Sequence, residues 1–254
     1  MKVRVLGCGT STGVPKIGNN WGQCDPAEPR NYRLRSSIMV ESGSVRALVD
    51  CGPDLRQQLL AAEVGRVDAV IATHDHGDHV HGIDELRPLS QALDGPMPLY
   101  SDERTLASLR QRFAYAFASS EFYRPIVDGR PLRGEMPLGA ARVRSVEQPH
   151  GTTVSLGLRF DEDDRSIVYA IDFNAMTDDM AQLYERADVM IGDCLTRTPH
   201  PTHMHLDGLL AIARDLRIGQ LYLTHMGNGL DYRTLVAELP DWAAPAHDGL
   251  EIVV

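Results

Sequence analysis

The sequence predicts an α/β protein whose β-sheets are covered by helices, and three observations predict it. Short apolar strand patterns come in runs, with helical patterns between them. The same plan occurs twice, in residues 1–126 and 127–254, with no low-complexity linker, so one domain of two similar halves is expected. Over 254 residues, 43% hydrophobic and 24% charged content suffices for a large core and is too balanced for disorder.

In the first half, residues 2–6 read as a strand running into a Gly/Ser/Thr/Pro turn at 7–15. That turn lacks both phosphate-loop spacings and reads as a tight turn bringing backbone near a site. An irregular segment precedes strands at 37–41 and 45–49. Pro53, after Asp50-Cys51-Gly52, suits a helix opening, and Leu55, Leu59 and Leu60 keep helical spacing. Residues 67–72 form a buried-strand pattern followed by a His-rich loop, a helix over 82–93 and another over 103–117. The stretch 127–137, with Gly, Pro and charges, reads as the joint between halves. Beyond it come strands at 141–147, 153–160 and 166–171, a helix at 178–185 and a strand at 188–191. A helix at 206–215, a strand at 220–223, a helix at 232–238 and a strand at 250–253 complete the chain.

Charge and composition exclude several functions. Lys+Arg 25 against Asp+Glu 35 gives a net charge of −10, which disfavours a protein that grips nucleic acid by its phosphates. No run of about 18 apolar residues marks a membrane span. The N-terminus turns to Gly and Thr too soon for a signal peptide, so a cytoplasmic protein is expected. Cys8, Cys24, Cys51 and Cys194 stand far apart without C-x-x-C spacing and read as buried thiols.

Histidine carries the chemistry. Thr73-His74-Asp75-His76-Gly77-Asp78-His79 packs three imidazoles and two carboxylates just after an apolar strand. Imidazole with carboxylate suits Zn²⁺, Mn²⁺ or Fe²⁺, and alternating positions in one loop can serve two adjacent metals. His150, Asp172 and His225 each follow an apolar run as well, where layered α/β folds assemble their sites. Taken singly they have ordinary readings: a loop residue, an N-cap for the 178–185 helix and a surface His. Together with the His-rich loop they form a ligand set.

The H-x-H-x-D-H pattern at His74, His76, Asp78 and His79 resembles the signature of the metallo-β-lactamase superfamily. The resemblance spans essentially the whole chain and implies an αββα four-layer sandwich. It implies two divalent metals, Zn or Mn with Fe as a further option. His74, His76 and His150 would hold one, Asp78, His79 and His225 the other, and Asp172 would bridge them. Gly7 to Pro15, Arg35-Ser36-Ser37 and Pro201-Thr202-His203 are similar to the phosphoribosyl 1,2-cyclic phosphodiesterase group of carbon–phosphorus lyase pathways. That group's leaving-group histidine falls here on His203. Its structural zinc site, a cysteine cluster with a further His, has only Cys24 here, and Asn228 stands at the His position.

The implied function is a dinuclear metal-dependent hydrolase, a phosphodiesterase acting on a small, cyclic or open, phosphodiester. Two close metals make hydroxide from a bridging water at neutral pH and steady charge on a phosphoryl oxygen. Asp78 would also orient the nucleophile, and His203 would protonate the departing alkoxide, with His205 a second candidate. Arg35, Ser36 and His205 are expected near substrate. Alternatives are lactone or thioester hydrolysis, ribonuclease Z-like RNA processing and a non-hydrolytic metal-binding module. The partner expected is a small phosphodiester, without membrane or nucleic acid, and similar hydrolases are commonly homodimers.

Overall fold

The computed structural model describes residues 1–119 and 121–254. Its first sheet takes β1 (Lys2–Gly7), β2 (Ser37–Ser42), β3 (Val45–Val49), β4 (Ala69–Ile71), β5 (Met97–Ser101) and β6 (Val127–Pro131). The second takes β7 (Glu135–Leu138), β8 (Ala141–His150), β9 (Thr153–Glu162), β10 (Arg165–Ala170), β11 (Val189–Asp193), β12 (Gln220–Thr224) and β13 (Ala243–Pro245). The last strand, β14 (Glu251–Val253), returns to the first sheet beside β1. Strand order is β14-β1-β2-β3-β4-β5-β6 in one and β13-β12-β11-β10-β9-β8-β7 in the other. Each sheet changes from antiparallel to parallel pairing, at β3 in the first and at β10 in the second.

Strand alternation builds the layers. In β2 and β3, Ile38, Val40, Ala47 and Val49 enter the core between the sheets, whereas Met39 and Leu48 face the helices. Val3, Val5 and Ile71 meet Leu158, Phe160, Tyr169 and Ile191 in the inter-sheet core. Against the outer face of the first sheet lie α1 (Leu55–Ala61), the one-turn α2 (Gly77–Val80), α3 (Leu86–Ala92), α4 (Glu103–Arg112) and the short α5 (Ala114–Phe117). The second sheet is covered by α6 (Asp178–Tyr184), α7 (Leu206–Asp215) and α8 (Tyr232–Glu238). The architecture is the αββα sandwich. Among the described residues no helix is long and apolar enough to cross a membrane.

Several sequence expectations need correction. The helix expected over 82–93 is two pieces, a 3-10 turn at Ile83–Glu85 and α3, with α2 ending before them at Val80. Pro88 sits in the first turn of α3, the one place where its missing N–H costs nothing, so no single helix can run through it. The 103–117 helix breaks at Phe113, whose backbone (φ −121°, ψ 39°) is not helical. Residues 127–137 are the outermost strand of each sheet, β6 and β7, with the crossing between them. The strands β5 and β13 were not expected, since Pro98 and Pro245 interrupt their patterns. Thr177, and not Asp172, caps α6.

Candidate metal centre

The site lies at one end of the sandwich, where strands deliver their last residues. His74 follows β4, His150 ends β8, Asp172 follows β10, Asp193 ends β11 and His225 follows β12. Asp50, after β3, completes the series. Asp50, Asp172 and His225 have φ of 64°, 54° and 57°, left-handed conformations that cost a non-glycine residue roughly 1–2 kcal/mol each. These turns bend the chain away from the strand while aiming the side chain into the site. Gly52 lets the turn after β3 lie on α2, because a Cβ there would come within 2.1 Å of the Asp78 carbonyl oxygen.

The seven expected ligands converge. His74, His76, His150 and Asp172 present one ligand atom each within 4.8 Å of one another, as do Asp78, His79 and His225. The Oδ2 of Asp172 stands 3.5 Å from Nε2 of His74, 3.6 Å from Nε2 of His79 and 3.4 Å from Nε2 of His150. Its Oδ1 lies 3.4 Å from Nδ1 of His225. Asp172 thus sits between both groups.

Hydrogen bonds fix which ring nitrogen faces inward. The Nδ1 of His79 donates to Asp50 Oδ2 (2.8 Å), and Nδ1 of His150 to the Thr202 carbonyl (2.7 Å). Thr73 Oγ1 donates to Asp50 Oδ2 and accepts from His74 Nδ1 (3.0 Å). Each of these Nε2 atoms therefore keeps its lone pair for the interior. Nε2 of His74, Nε2 of His79 and Oδ1 of Asp172 are buried without a hydrogen-bond partner. Buried polar atoms are rarely left so, and three of them in one cluster fit the donor set of a cation site.

Electrostatics agree. Burial, and then His79, push His74 well below its ordinary range; burial likewise lowers His150, so both favour the neutral form a metal needs. Burial opposes ionisation of Asp172 and Asp78, yet the neighbouring imidazoles outweigh it and hold both carboxyls low. His79 is driven up despite burial, by Asp172, Asp78 and Asp50. Carboxylates this concentrated call for positive charge among them.

A cavity of about 210 Å³ opens over the cluster, lined in part by Ser11, His76, Thr153, Thr202 and His203. His203 stands outside the seven expected ligands, although it too offers a ring nitrogen within 4.8 Å of ligand atoms of Asp172 and His225. Its Nδ1 donates to Oδ2 of the fully buried Asp193 (3.1 Å), and its ring stacks on His225 at 4.9 Å. Burial lowers its pKa, but the Asp193 hydrogen bond and charge prevail, and the net shift is upward.

The structure separates the remaining candidates from the cavity. His205 is the residue before α7 and does not line it. Ser36 is buried: its hydroxyl donates to the Gly9 carbonyl (3.0 Å) and receives Nδ1 of His225 (3.3 Å), so it orients a histidine. Arg35 pairs with Asp54 (3.1 Å) and lines a neighbouring cavity. Sequence reasoning missed Asp50 and Asp193, although the strand-end rule that found Asp172 applies to both. The four cysteines are buried and free. Near Cys24, the buried Arg33 donates to the carbonyls of Gly227 (3.2 Å) and Leu230 (2.7 Å) and to Asn31 (3.2 Å).

Residues 45–226 match the Beta-lactamase superfamily domain. The chain belongs to that superfamily. A diphosphatase of the PhnP family superposes with a TM-score of 0.90 and 34% sequence identity over 99% of this chain and 96% of its own. Zn²⁺-bound PqqB from Methylobacterium extorquens shares the fold, with a TM-score of 0.82 and 20% identity over the full length of both. An octanoyltransferase from Porphyromonas gingivalis is 27% identical over 260 residues, which cover 100% of this chain and 52% of that protein. The chain thus spans about half the length of that relative. The superfamily's αββα fold, with a candidate metal site at the strand ends, is what this chain presents.

Proposed function

We propose that the chain is a dinuclear metal-dependent phosphodiesterase for small phosphodiesters, cyclic ribose phosphates included. One observation carries the reading: beside the seven convergent ligands stands His203, a proton-bearing side chain backed by Asp193 and facing the same cavity. An alkoxide leaving group needs such a donor. The likeness to a diphosphatase of the PhnP family supports a phosphoryl substrate.

His74, His76 and His150 would hold one ion and Asp78, His79 and His225 the other, with Asp172 shared; Zn²⁺ or Mn²⁺ suits these donors, and Fe²⁺ also fits. Such a pair supplies an activated water at neutral pH and positive charge for the phosphoryl oxygens. The chain's own side chains do the rest. Asp78 faces the cavity and would orient the attacking water. His203, held by Asp193, would give its proton to the departing oxygen, while Asp50, Thr202 and Ser36 keep His79, His150 and His225 in register.

The test is a substrate panel with the Zn²⁺- and Mn²⁺-loaded protein: bis-p-nitrophenyl phosphate, a ribose cyclic phosphate, a lactone, a thioester and a precursor transfer RNA. The phosphodiesters should show the highest kcat/KM, and chelation should abolish it. Turnover of the lactone, the thioester or the RNA without small-phosphodiester hydrolysis would overturn the reading.

A further inference from the structure

Four of the five histidines in the expected ligand set have a hydrogen-bond partner outside that set: Thr73 for His74, Asp50 for His79, the Thr202 carbonyl for His150 and Ser36 for His225. His76 is different. It is the exposed member of the set, and among the described residues its ring makes one hydrogen-bond contact, at 3.3 Å with Nε2 of His150, itself an expected ligand. An imidazole without an outer partner gives up more side-chain freedom when it binds an ion, so its backbone has to be well placed.

The chain on either side of His76 is held from one residue of α4. Ser108 and Arg112 stand four residues apart on that helix, so both side chains leave the same face. The Ser108 hydroxyl donates to Oδ2 of Asp75, and Nη1 of Arg112 donates to the Asp75 carbonyl, the oxygen of the peptide unit that leads into His76. Nη2 of Arg112 donates to Nε2 of His81 at 2.7 Å; a guanidinium cannot accept, so this nitrogen of His81 carries the lone pair. The His81 ring in turn closes over Gly77, where a Cβ would come within 2.8 Å of its Cε1. One guanidinium therefore grips the residue before His76 directly and the residue after it through His81. As an ion pair Arg112 and Asp75 contribute little to stability, because they lie 3.5 Å apart with each side chain 34% exposed. What the guanidinium fixes is the path of the loop.

We infer that Arg112, together with Ser108 and His81, is the positioning device for His76: it fixes residues 75–77 so that the ligand without an outer partner presents its ring to the ion shared with His74 and His150. The inference rests on the metal-centre reading above. It makes α4, which supplies no ligand, a determinant of how tightly that one ion is held.

Stepwise Zn²⁺ affinities, read by chelator competition, test it on the wild type, Arg112→Ala, Arg112→Lys, His76→Ala and the double variant of Arg112→Ala with His76→Ala. Arg112→Ala should weaken the ion that His76→Ala weakens by about tenfold, the lower end for outer partners of metal ligands, and the other ion by much less. Arg112→Lys should fall between, since a single ammonium replaces a two-armed donor. In the His76→Ala background, adding Arg112→Ala should leave the remaining affinity unchanged, because the ligand it positions is gone. Unchanged affinity in Arg112→Ala, equal weakening of both ions, or losses that add in the double variant would overturn the inference. A wild type that binds no metal defeats the metal-centre reading instead, and the clamp is then read in the metal-free protein by amide hydrogen exchange at residues 75–77. Faster exchange there in Arg112→Ala supports it, and unchanged exchange overturns it.

Discussion

Asp50 and His79 form a fully buried pair in which the carboxylate takes the imidazole Nδ1–H at 2.8 Å, leaving Nε2 facing Asp78 at 3.2 Å. Asp50 is also anchored by the backbone N–H of Thr73 (2.8 Å), so the strand end after β3 and the one after β4 are tied through one carboxylate. Outer carboxylates of this kind set ring orientation and ligand basicity. Asp50→Asn should therefore weaken metal binding by about 10–100-fold although Asp50 is not in the ligand set. Chelator competition reads the affinity, and an unchanged value would remove Asp50 from the metal centre. Metal analysis of the wild type should give near two ions per chain, and His79→Ala near one.

His203→Ala should keep both metals and slow turnover of an alkyl or cyclic phosphodiester by roughly 10²–10⁴-fold. On bis-p-nitrophenyl phosphate the loss should be far smaller, because p-nitrophenolate departs without a proton. Asp193→Asn should produce a milder defect of the same pattern. Equal losses on both substrates would instead make His203 a positioning residue.

Around Cys24, the guanidinium of Arg33 joins residues 24–33 to the loop after His225. Cys24→Ser should leave metal content unchanged; a lost equivalent would reveal a metal held there. Arg33→Met leaves the carbonyls of Gly227 and Leu230 without that donor, and chemical denaturation should show a loss of about 2–5 kcal/mol.

Burial pushes the carboxyl of Asp248 up to about 7, even though the N–H groups of Leu34 (2.8 Å) and Cys8 (3.0 Å) favour its anion. The unfolded value is near the ordinary 3.8. Between these values the native state keeps a proton that the unfolded chain has released. This group's contribution to stability is thus present in full below the unfolded value and is lost as pH rises towards 7. Melting temperatures of wild type and Asp248→Asn, compared from pH 4.5 to 8, should show the wild type falling relative to the variant. A constant difference across that range would contradict the shift.

Most of the element order and the ligand types were legible in the chain because both are local, whereas β5, β6, β7 and β13 were not. Strand runs ended by His74, His150, Asp172 and His225 carry their meaning within a few residues, and apolar alternation in β2 and β3 divides core from helix layer without knowledge of the partner sheet. Strand pairing decided the rest. The parallel strands β10, β11 and β12 put Asp172, Asp193 and His225 at one end, and only there does Asp193 meet His203. Asp50 looked like part of a turn, and its role emerged when β3 and β4 paired and set it against His79. Arg35 and Ser36 stood together in sequence, yet successive side chains on an extended segment point to opposite sides. One therefore reached the neighbouring cavity and the other His225, a distinction that spacing alone does not contain.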